Sequence, residues 1–268
     1  MDNFKYDDTK FIHTALMYRI DGKTNDKLAS GIPEEDKAYY DGLMAKGMAA
    51  KKHPKDEVVL VLAATPWEYF GPNDNGDALF SRPFARISEK GTLPVTQHSF
   101  MEKAIASRNH QYRSKDNAIG DILDAHYNEK YKRLEVLIRY DWGKATKECL
   151  RIAGNKCLLV SMGYRIYAPD LPSESGEFCS VCGHHNRIPS DRCEHLATMV
   201  GSVVDGVPVY MMNGIGYFVD ISSVAIPGDF NARVILRGET PESTGSLNSE
   251  QIEDFYSNLK TALSDQKD

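Results

Sequence analysis

The sequence lacks a hydrophobic run of the length that crosses a membrane. No stretch approaches the roughly 18 consecutive apolar residues of a membrane-spanning helix. Residues 1–11 (MDNFKYDDTKF) also lack the basic segment followed by an apolar segment that marks a secretory signal. These two absences predict a protein that works in a cytoplasm.

An excess of positive charge is lacking too. Lysine and arginine number 32 against 38 aspartate and glutamate residues, which gives a net charge of -6 at pH 7. A protein that binds nucleic acid through its phosphates normally presents a basic face, so this balance argues against such binding. The 41% hydrophobic content of 268 residues supplies one sizeable core, within one or two domains.

Cysteine is scarce, and its count is odd. The five cysteines stand at positions 149, 157, 179, 182 and 193. In a reducing compartment such a set argues against a disulfide framework. Three of them fall within the fifteen residues 179–193, close to three histidines. This crowding indicates a metal site.

The cysteines and histidines of residues 179–195 have the spacing of such a site. A Cys-x-x-Cys pair followed by glycine precedes a loop and a second pair, Cys-x-His. A Cys-x-x-Cys turn directs two thiolates at one ion, and four such ligands in a closed set are typical of structural zinc. The expected Zn²⁺ ligands are Cys179, Cys182, Cys193 and His195. His184 and His185 remain alternatives for the fourth ligand.

Hydrophobic patterning predicts an α+β chain with a mostly β core. Short apolar, β-branched runs bounded by turn residues indicate strands. The predicted strands are 57–64, 119–127, 133–140, 157–167, 216–226 and 232–236. The predicted helices are 33–52, 99–107, 142–153 and 249–265. Residues 170–206 break this pattern with Pro, Ser, Gly, Cys and His, and we interpret them as an insertion that holds the metal.

One serine, one histidine and one acid, on or beside predicted strands, form a candidate catalytic set. Ser161 lies in an apolar strand, where an isolated serine is most often a hydrogen-bonded core residue. His110 lies in a polar segment before a strand, and Asp220 lies on a late strand between apolar neighbours. Acyl transfer needs a hydroxyl, an imidazole that takes its proton and a third group that fixes the imidazole tautomer.

Other histidines and acids compete for these roles. His98 precedes a predicted helix, and His126 stands at a strand end, where a structural role is the simpler interpretation. Asp121 and Asp124 are alternative acids, although solvated positions in a turn or on the surface suit them better. The identity of the third catalytic residue stays open on this evidence.

Four segments, in this order, resemble the tailed-phage prohead proteases, which are relatives of the herpesvirus assemblin proteases. Asn109-His110 is followed by a glycine that opens a strand, in 118–122 (AIGDI). A strand pair then carries RLEV at 133–136, and a later strand carries Ser-x-Gly-aromatic at 161–164. The last segment, 220–227 (DISSVAIP), has the family's acid, apolar, Ser, x, Val, x, x, Pro pattern. The resemblance covers about residues 57–236.

The resemblance implies a herpesvirus-protease-like β-barrel with flanking helices and an inserted zinc-binding loop. It implies a serine endopeptidase with Ser161 as nucleophile and His110 as general base, and with Asp220 provisionally in the third position. Its substrates would be the scaffold protein, the major head protein and the enzyme itself, inside the assembling prohead in the host cytoplasm. The expected division is an N-terminal helical extension (1–56), a protease domain (57–236, with the insertion 170–206), and a linker with a C-terminal helix (237–268).

Two other functions remain open from the sequence. The first is a catalytically inactive capsid or scaffold-associated protein of the same fold, which a Ser161 buried far from His110 would favour. The second is a zinc-ribbon module that binds nucleic acid, which a continuous Lys/Arg face around residues 179–195 would favour.

Overall fold

Strands form most of the regular secondary structure in the described chain. The computed structural model describes residues 34–66, 72–73, 75–79, 95–154, 158–167, 175–225 and 233–237. The helices in these ranges are α1 (Glu34–Ala49), α2 (Val95–Glu102), α3 (Thr146–Ala153) and α4 (Glu194–Thr198). Among them, none has both the length and the apolar character that a membrane crossing requires. The chain is therefore α+β and mostly strands, as the hydrophobic pattern predicts.

The strands are numbered in chain order. They are β1 (Glu57–Ala64), β2 (Asp77–Leu79), β3 (Ile105–Arg108), β4 (Gly120–Asn128), β5 (Arg133–Tyr140), β6 (Leu159–Arg165), β7 (Glu177–Cys179), β8 (His185–Asn186), β9 (Val203–Val204), β10 (Val207–Pro208), β11 (Met211–Asn213), β12 (Tyr217–Val224) and β13 (Arg233–Arg237).

Seven of these strands curl into a barrel in the order β1-β13-β6-β12-β3-β4-β5. β5 pairs with β1 along the length of both strands and so closes the sheet. Neighbouring strands are antiparallel except β3 and β12, which run parallel. Two seams are short, because β13 meets β6 only at Arg233 opposite Leu159 and β3 meets β4 only at Ala106 opposite Gly120.

β1 is buried on both faces, which explains its continuous apolar sequence EVVLVLAA. Val59 and Val61 belong to the cluster inside the barrel. Val58 and Leu60 face the other way and pack against Tyr40 of α1. Because side chains alternate along a strand, a run that is apolar at every position needs cover on both sides. α1 therefore covers this part of the barrel wall.

A second, four-stranded sheet has the order β2-β11-β7-β8. β11 pairs in parallel with β2 and antiparallel with β7. Met211 on β11 consequently lies opposite Asp77 on one side and Cys179 on the other. The cysteine-rich segment is thus joined through β11 to the residues that follow β1, and does not stand apart from the rest of the chain.

Most predicted elements are confirmed. The six predicted strands correspond to β1, β4, β5, β6, β12 and β13, and the helices predicted at 33–52 and 142–153 correspond to α1 and α3. The helix predicted at 99–107 is wrong at its C-terminal end, because α2 ends at Glu102 and residues 105–108 form β3. Pairing of β3 with β12 overrides the local helical pattern there. The helix predicted at 249–265 lies outside the described residues.

Candidate active site and metal centre

Three neighbouring strands carry a row of serines. Ser222 on β12 lies opposite Ser107 on β3 and opposite Ser161 on β6. Directly opposed residues of neighbouring strands share one face of the sheet, and so do residues two apart on one strand. Asp220 therefore belongs to the same row, on the face opposite to Ile221, which packs in the barrel core.

A β-bulge directs Asp220 to this face. The register between β12 and β6 shifts between Phe218 and Asp220, so one residue of β12 is extra. Phe218 packs in the core, and without the shift a residue two positions later would do the same. Gly163 lies opposite Asp220, and a Cβ atom at Gly163 would overlap with Asp220 Oδ1. The glycine of the Ser-x-Gly segment therefore provides the space that the carboxylate occupies.

The Asp220 carboxylate is fully buried and hydrogen-bonded. Ser107 Oγ donates to Asp220 Oδ2 over 2.9 Å, and Ser222 Oγ donates to the same oxygen. The two hydroxyl oxygens are 2.7 Å apart. Both serines are also fully buried. A buried carboxylate needs such donors, because an unpaired one would cost several kcal/mol.

His110 lies on the turn after β3 and faces the same carboxylate. His110 Nδ1 is 3.2 Å from Oδ2 and 3.3 Å from Oδ1 of Asp220. The backbone N–H of His110 donates to Ser222 Oγ over 2.9 Å. Asn109 and His110 both have positive φ angles, 49° and 56°. Non-glycine residues rarely adopt this conformation, and here it turns the imidazole back toward β12.

The contact with Asp220 shifts the pKa of the His110 ring. The hydrogen bond with Asp220 raises the pKa of His110 above its usual value, burial opposes that rise, and the negative charge of Asp220 adds to it. The His110 side chain keeps 39% of its surface exposed, whereas Asp220 has none. With Nδ1 held by the carboxylate, Nε2 is the ring nitrogen left to exchange a proton with another group.

Ser161 is the one half-buried hydroxyl of the row, and it lines a pocket of about 210 Å³. The hydroxyls of Ser107 and Ser222 are enclosed and committed to Asp220. In the described part of the chain, the Ser161 hydroxyl has no hydrogen bond with His110. Catalytic hydrogen bonds are often long before substrate binds, so Ser161 in the row and His110 beside it are compatible with an acyl-transfer site.

The competing residues have other partners. His126 Nε2 is 2.8 Å from Glu135 Oε2, which agrees with a structural role. Asp121 pairs with Arg139 and with Lys52, and Asp124 pairs with Lys46 over 2.7 Å. His98 lies on α2, and its side chain is outside the described residues.

The four expected metal ligands lie together. The ligand atoms of Cys179, Cys182, Cys193 and His195 all fall within 4.8 Å of one another, so they could hold a metal ion. Cys182 Sγ and Cys193 Sγ are 3.6 Å apart. This is far longer than a disulfide of about 2.05 Å. It is close to the edge of about 3.8 Å that a tetrahedron with Zn–S bonds of about 2.3 Å would have.

Local backbone geometry explains how the short sequence gathers these atoms. Gly183 has a φ of 67°, and its N–H donates to the Cys179 carbonyl over 2.9 Å, which closes the Cys-x-x-Cys turn. Cys193 stands at the N-terminus of α4, whose first turn carries His195. Asn186 accepts a hydrogen bond from the Cys193 N–H over 3.1 Å and so joins the two halves.

The alternative histidines are engaged elsewhere. His184 Nε2 is 3.2 Å from the Asp191 carbonyl oxygen, and His185 Nε2 is 2.7 Å from the Ser175 carbonyl oxygen. His195 instead has a buried ring nitrogen, Nδ1, without a hydrogen-bond partner in the described part of the chain. The backbone N–H of His184 lowers the pKa of Cys182 to about 6, with a further contribution from the His195 side chain, which favours the thiolate that a metal needs.

Sequence reasoning missed the residues that support the site. Ser107, Ser222 and Gly163 received no role of their own, although Gly163 and Ser222 fall within the family-like segments. A signal was present: Asp220 and Ser222 alternate with apolar residues on β12, which places two polar groups on one face. The pairing partner of that face, Ser107, requires knowledge of the strand order.

Comparison of the chain with family models, with curated proteins and with solved structures gave no match. The roles of Ser161, His110 and Asp220 therefore depend on the geometry of the chain's own residues.

The first prediction concerns the contact between His110 and Asp220. In Asp220→Asn, the pKa of His110 should fall, because the amide no longer favours the protonated ring. The measurement is the titration of the His110 ring protons by NMR, with the ring of His126 as an internal reference. Ser202→Ala, an exposed substitution outside the row, should leave the His110 titration unchanged. An unchanged His110 titration in Asp220→Asn would mean that the two side chains do not interact.

The second prediction concerns the cysteines. The purified chain should carry about one metal ion. Cys193→Ser should lose it, because the three ligands that remain bind a metal ion more weakly than four. Elemental analysis by mass spectrometry measures the content. Cys149→Ala, which removes a buried thiol outside the cluster, is the control and should retain the ion. Metal-free, folded wild-type protein that has never met a chelator would contradict the assignment.

Proposed function

We propose that the chain is a serine endopeptidase with Ser161 as nucleophile, His110 as general base and Asp220 as the group that orients the imidazole. The observation that carries this proposal is the position of His110 Nδ1 against both oxygens of the buried Asp220 carboxylate. Ser161 stands in the same row, and its pocket gives a substrate access.

The reaction follows from these positions. Ser161 Oγ attacks the scissile carbonyl carbon while His110 Nε2 takes the hydroxyl proton, which goes on to the leaving amine when the C–N bond breaks. The acyl group is then held as an ester on Ser161. Water attacks this ester with His110 again as the base, and Ser161 regains its proton. Asp220 holds the productive tautomer and stabilises the imidazolium in both steps.

The biological setting comes from the resemblance to the prohead proteases. A barrel with helices packed on it and a metal-binding insertion suits the herpesvirus-protease-like fold that this resemblance implies. The proposed substrates are the scaffold protein, the major head protein and the chain itself. The proposed location is the assembling prohead in the host cytoplasm.

The metal proposed for the cysteine cluster is structural zinc. Three thiolates and one imidazole form a closed set that suits Zn²⁺ and leaves no ligand position for a reacting water. When bound, the ion supplies a cross-link between the Cys-x-x-Cys turn and α4. The backbone pairing of β11 with β7, which ends at the ligand Cys179, then joins this cross-link to the second sheet.

A catalytically inactive structural protein of the same fold is the second candidate. The observation that favours it is the lack of a hydrogen bond between Ser161 and His110 in the described residues. A nucleic-acid module is less well supported, because residues 175–210 contain two arginines against four acids, and one of those arginines, Arg192, is paired with Glu177.

The third prediction separates the enzyme from its inactive counterpart. A fluorophosphonate probe should form one adduct on the purified chain, with Ser161 Oγ bonded to phosphorus and fluoride released. Peptide mass spectrometry locates the adduct. Ser161→Ala should abolish it, and His110→Ala should slow it by about 10³-fold because the general base is gone.

Ser202→Ala is the matched control for this experiment, since Ser202 is exposed and lies outside the row. It should react at the wild-type rate. An adduct that persists in Ser161→Ala, or a wild-type chain that forms none, would exclude Ser161 as an activated nucleophile.

A further inference from the structure

The pocket beside Ser161 lies next to one of the two short seams of the barrel. Within the described strands, β13 pairs with β6 only through Arg233 opposite Leu159. Ala63 at the end of β1 and Ser161 on β6 both line the pocket. β2 and β11, from the second sheet, also contribute lining residues. The nucleophile proposed above therefore stands at the border of a cavity of about 210 Å³.

The pocket combines apolar walls with a polar end. Leu79, Met162 and Ile166 supply apolar surface, and Asp77 and Asn213 supply polar atoms. No lysine, arginine or histidine occurs among the described lining residues, and Arg192, which acts on the Asp77 carboxyl from outside this lining, is paired with Glu177. A volume of this size suits one long side chain and is smaller than a typical drug-sized ligand site.

The polar end offers acceptors. Asn213 Nδ2 donates to Asp77 Oδ1 over 2.9 Å. Because an ionised carboxylate only accepts, this contact fixes the amide orientation. Asn213 Oδ1 is then an acceptor, and it is buried without a hydrogen-bond partner in the described part of the chain. Burial also raises the pKa of the Asp77 carboxyl, because the carboxylate has lost part of its hydration.

We propose that this pocket receives the substrate side chain next to the scissile bond and selects lysine or arginine. The alkyl stem would pack on the apolar wall, and the cationic head would donate hydrogen bonds to Asp77 and to Asn213 Oδ1. Glutamate and aspartate are excluded by like charge, and an apolar side chain leaves Asn213 Oδ1 without a donor. The assignment rests on the proposed function, because only a nucleophilic Ser161 makes this pocket the one next to the scissile bond.

Two phosphonate probes test the selectivity. Diphenyl phosphonates that carry a lysine or a norleucine side chain share an alkyl stem, and only the first has an ammonium group. Ser161 Oγ forms a bond to phosphorus in each, one P–O bond breaks, and phenol leaves with the hydroxyl proton. The measured quantity is the second-order rate of adduct formation on the full chain. The lysine probe should react at least about tenfold faster than the norleucine probe.

Two variants with opposite expected effects keep the test independent of folding. Asp77→Asn should remove most of the preference for lysine. Asn75→Asp, which adds a carboxylate at an exposed position of the pocket lining, should increase it. Asp205→Asn, an acid in the turn between β9 and β10, is the matched control and should change neither rate. Equal rates for the two probes, or a preference that Asp77→Asn leaves intact, would overturn the proposal.

A binding experiment separates failure of this inference from failure of the proposed function. If no phosphonate labels Ser161, the function fails, and ligand-observed NMR then follows benzamidine binding to Ser161→Ala protein. Benzamidine binding that Asp77→Asn abolishes supports a cation pocket without a catalytic serine. Absence of benzamidine binding contradicts the pocket assignment as well.

Discussion

The hydrogen bonds of the buried Asp220 carboxylate determine the arrangement of one face of the barrel. A charge in the protein interior is costly, and the donors that stabilise it come from separate parts of the chain: Ser107 on β3, Ser222 on β12 and His110 on the turn that follows β3. These donors meet only if β3 runs parallel to β12 with its serine in register. The bulge before Asp220 directs its side chain to this face, and the glycine opposite it leaves the space that the carboxylate occupies.

This carboxylate also connects stability with chemistry. His110 is held by its ring nitrogen and by its backbone N–H, and the second contact runs through Ser222, which itself binds Asp220. The ring is therefore oriented by one connected network of hydrogen bonds. Such preorganisation is what a general base requires, because proton transfer depends on distance and direction more than on the number of contacts.

The metal segment and the pocket share a support. β11 carries Asn213 into the pocket wall, and it pairs with the strand that ends at Cys179. A cross-link at the cysteines would consequently fix the position of the pocket's polar end. The proposed zinc would act on substrate recognition through the backbone, without taking part in the reaction.

The sequence predicts features that depend on neighbours along the chain. β1, β5 and β12 were predictable because apolar runs with β-branched residues bury well, and the cysteine cluster was predictable because its ligands are close in sequence. β3 was not predictable, because its sequence IASR is short and becomes a strand only through pairing with β12. The pair Cys193-x-His195 already favoured His195 in the sequence, and the contacts of His184 and His185 with backbone carbonyls agree with that choice.

The candidate site also has a part that the sequence predicts and a part that only the structure reveals. Ser161, His110 and Asp220 could be named from the order of segments, whereas the pocket could not. Its wall brings together Asp77 and Asn213, 136 residues apart, through the parallel pairing of two three-residue strands.

The proposed function requires that Ser161 cleaves peptide bonds with the help of His110 and Asp220. The most direct measurement is electrophoresis and mass spectrometry of scaffold and head protein co-expressed with the chain. We expect processing by wild type and by Ser202→Ala, and none by Ser161→Ala; equal processing by Ser161→Ala would show that Ser161 is not the nucleophile.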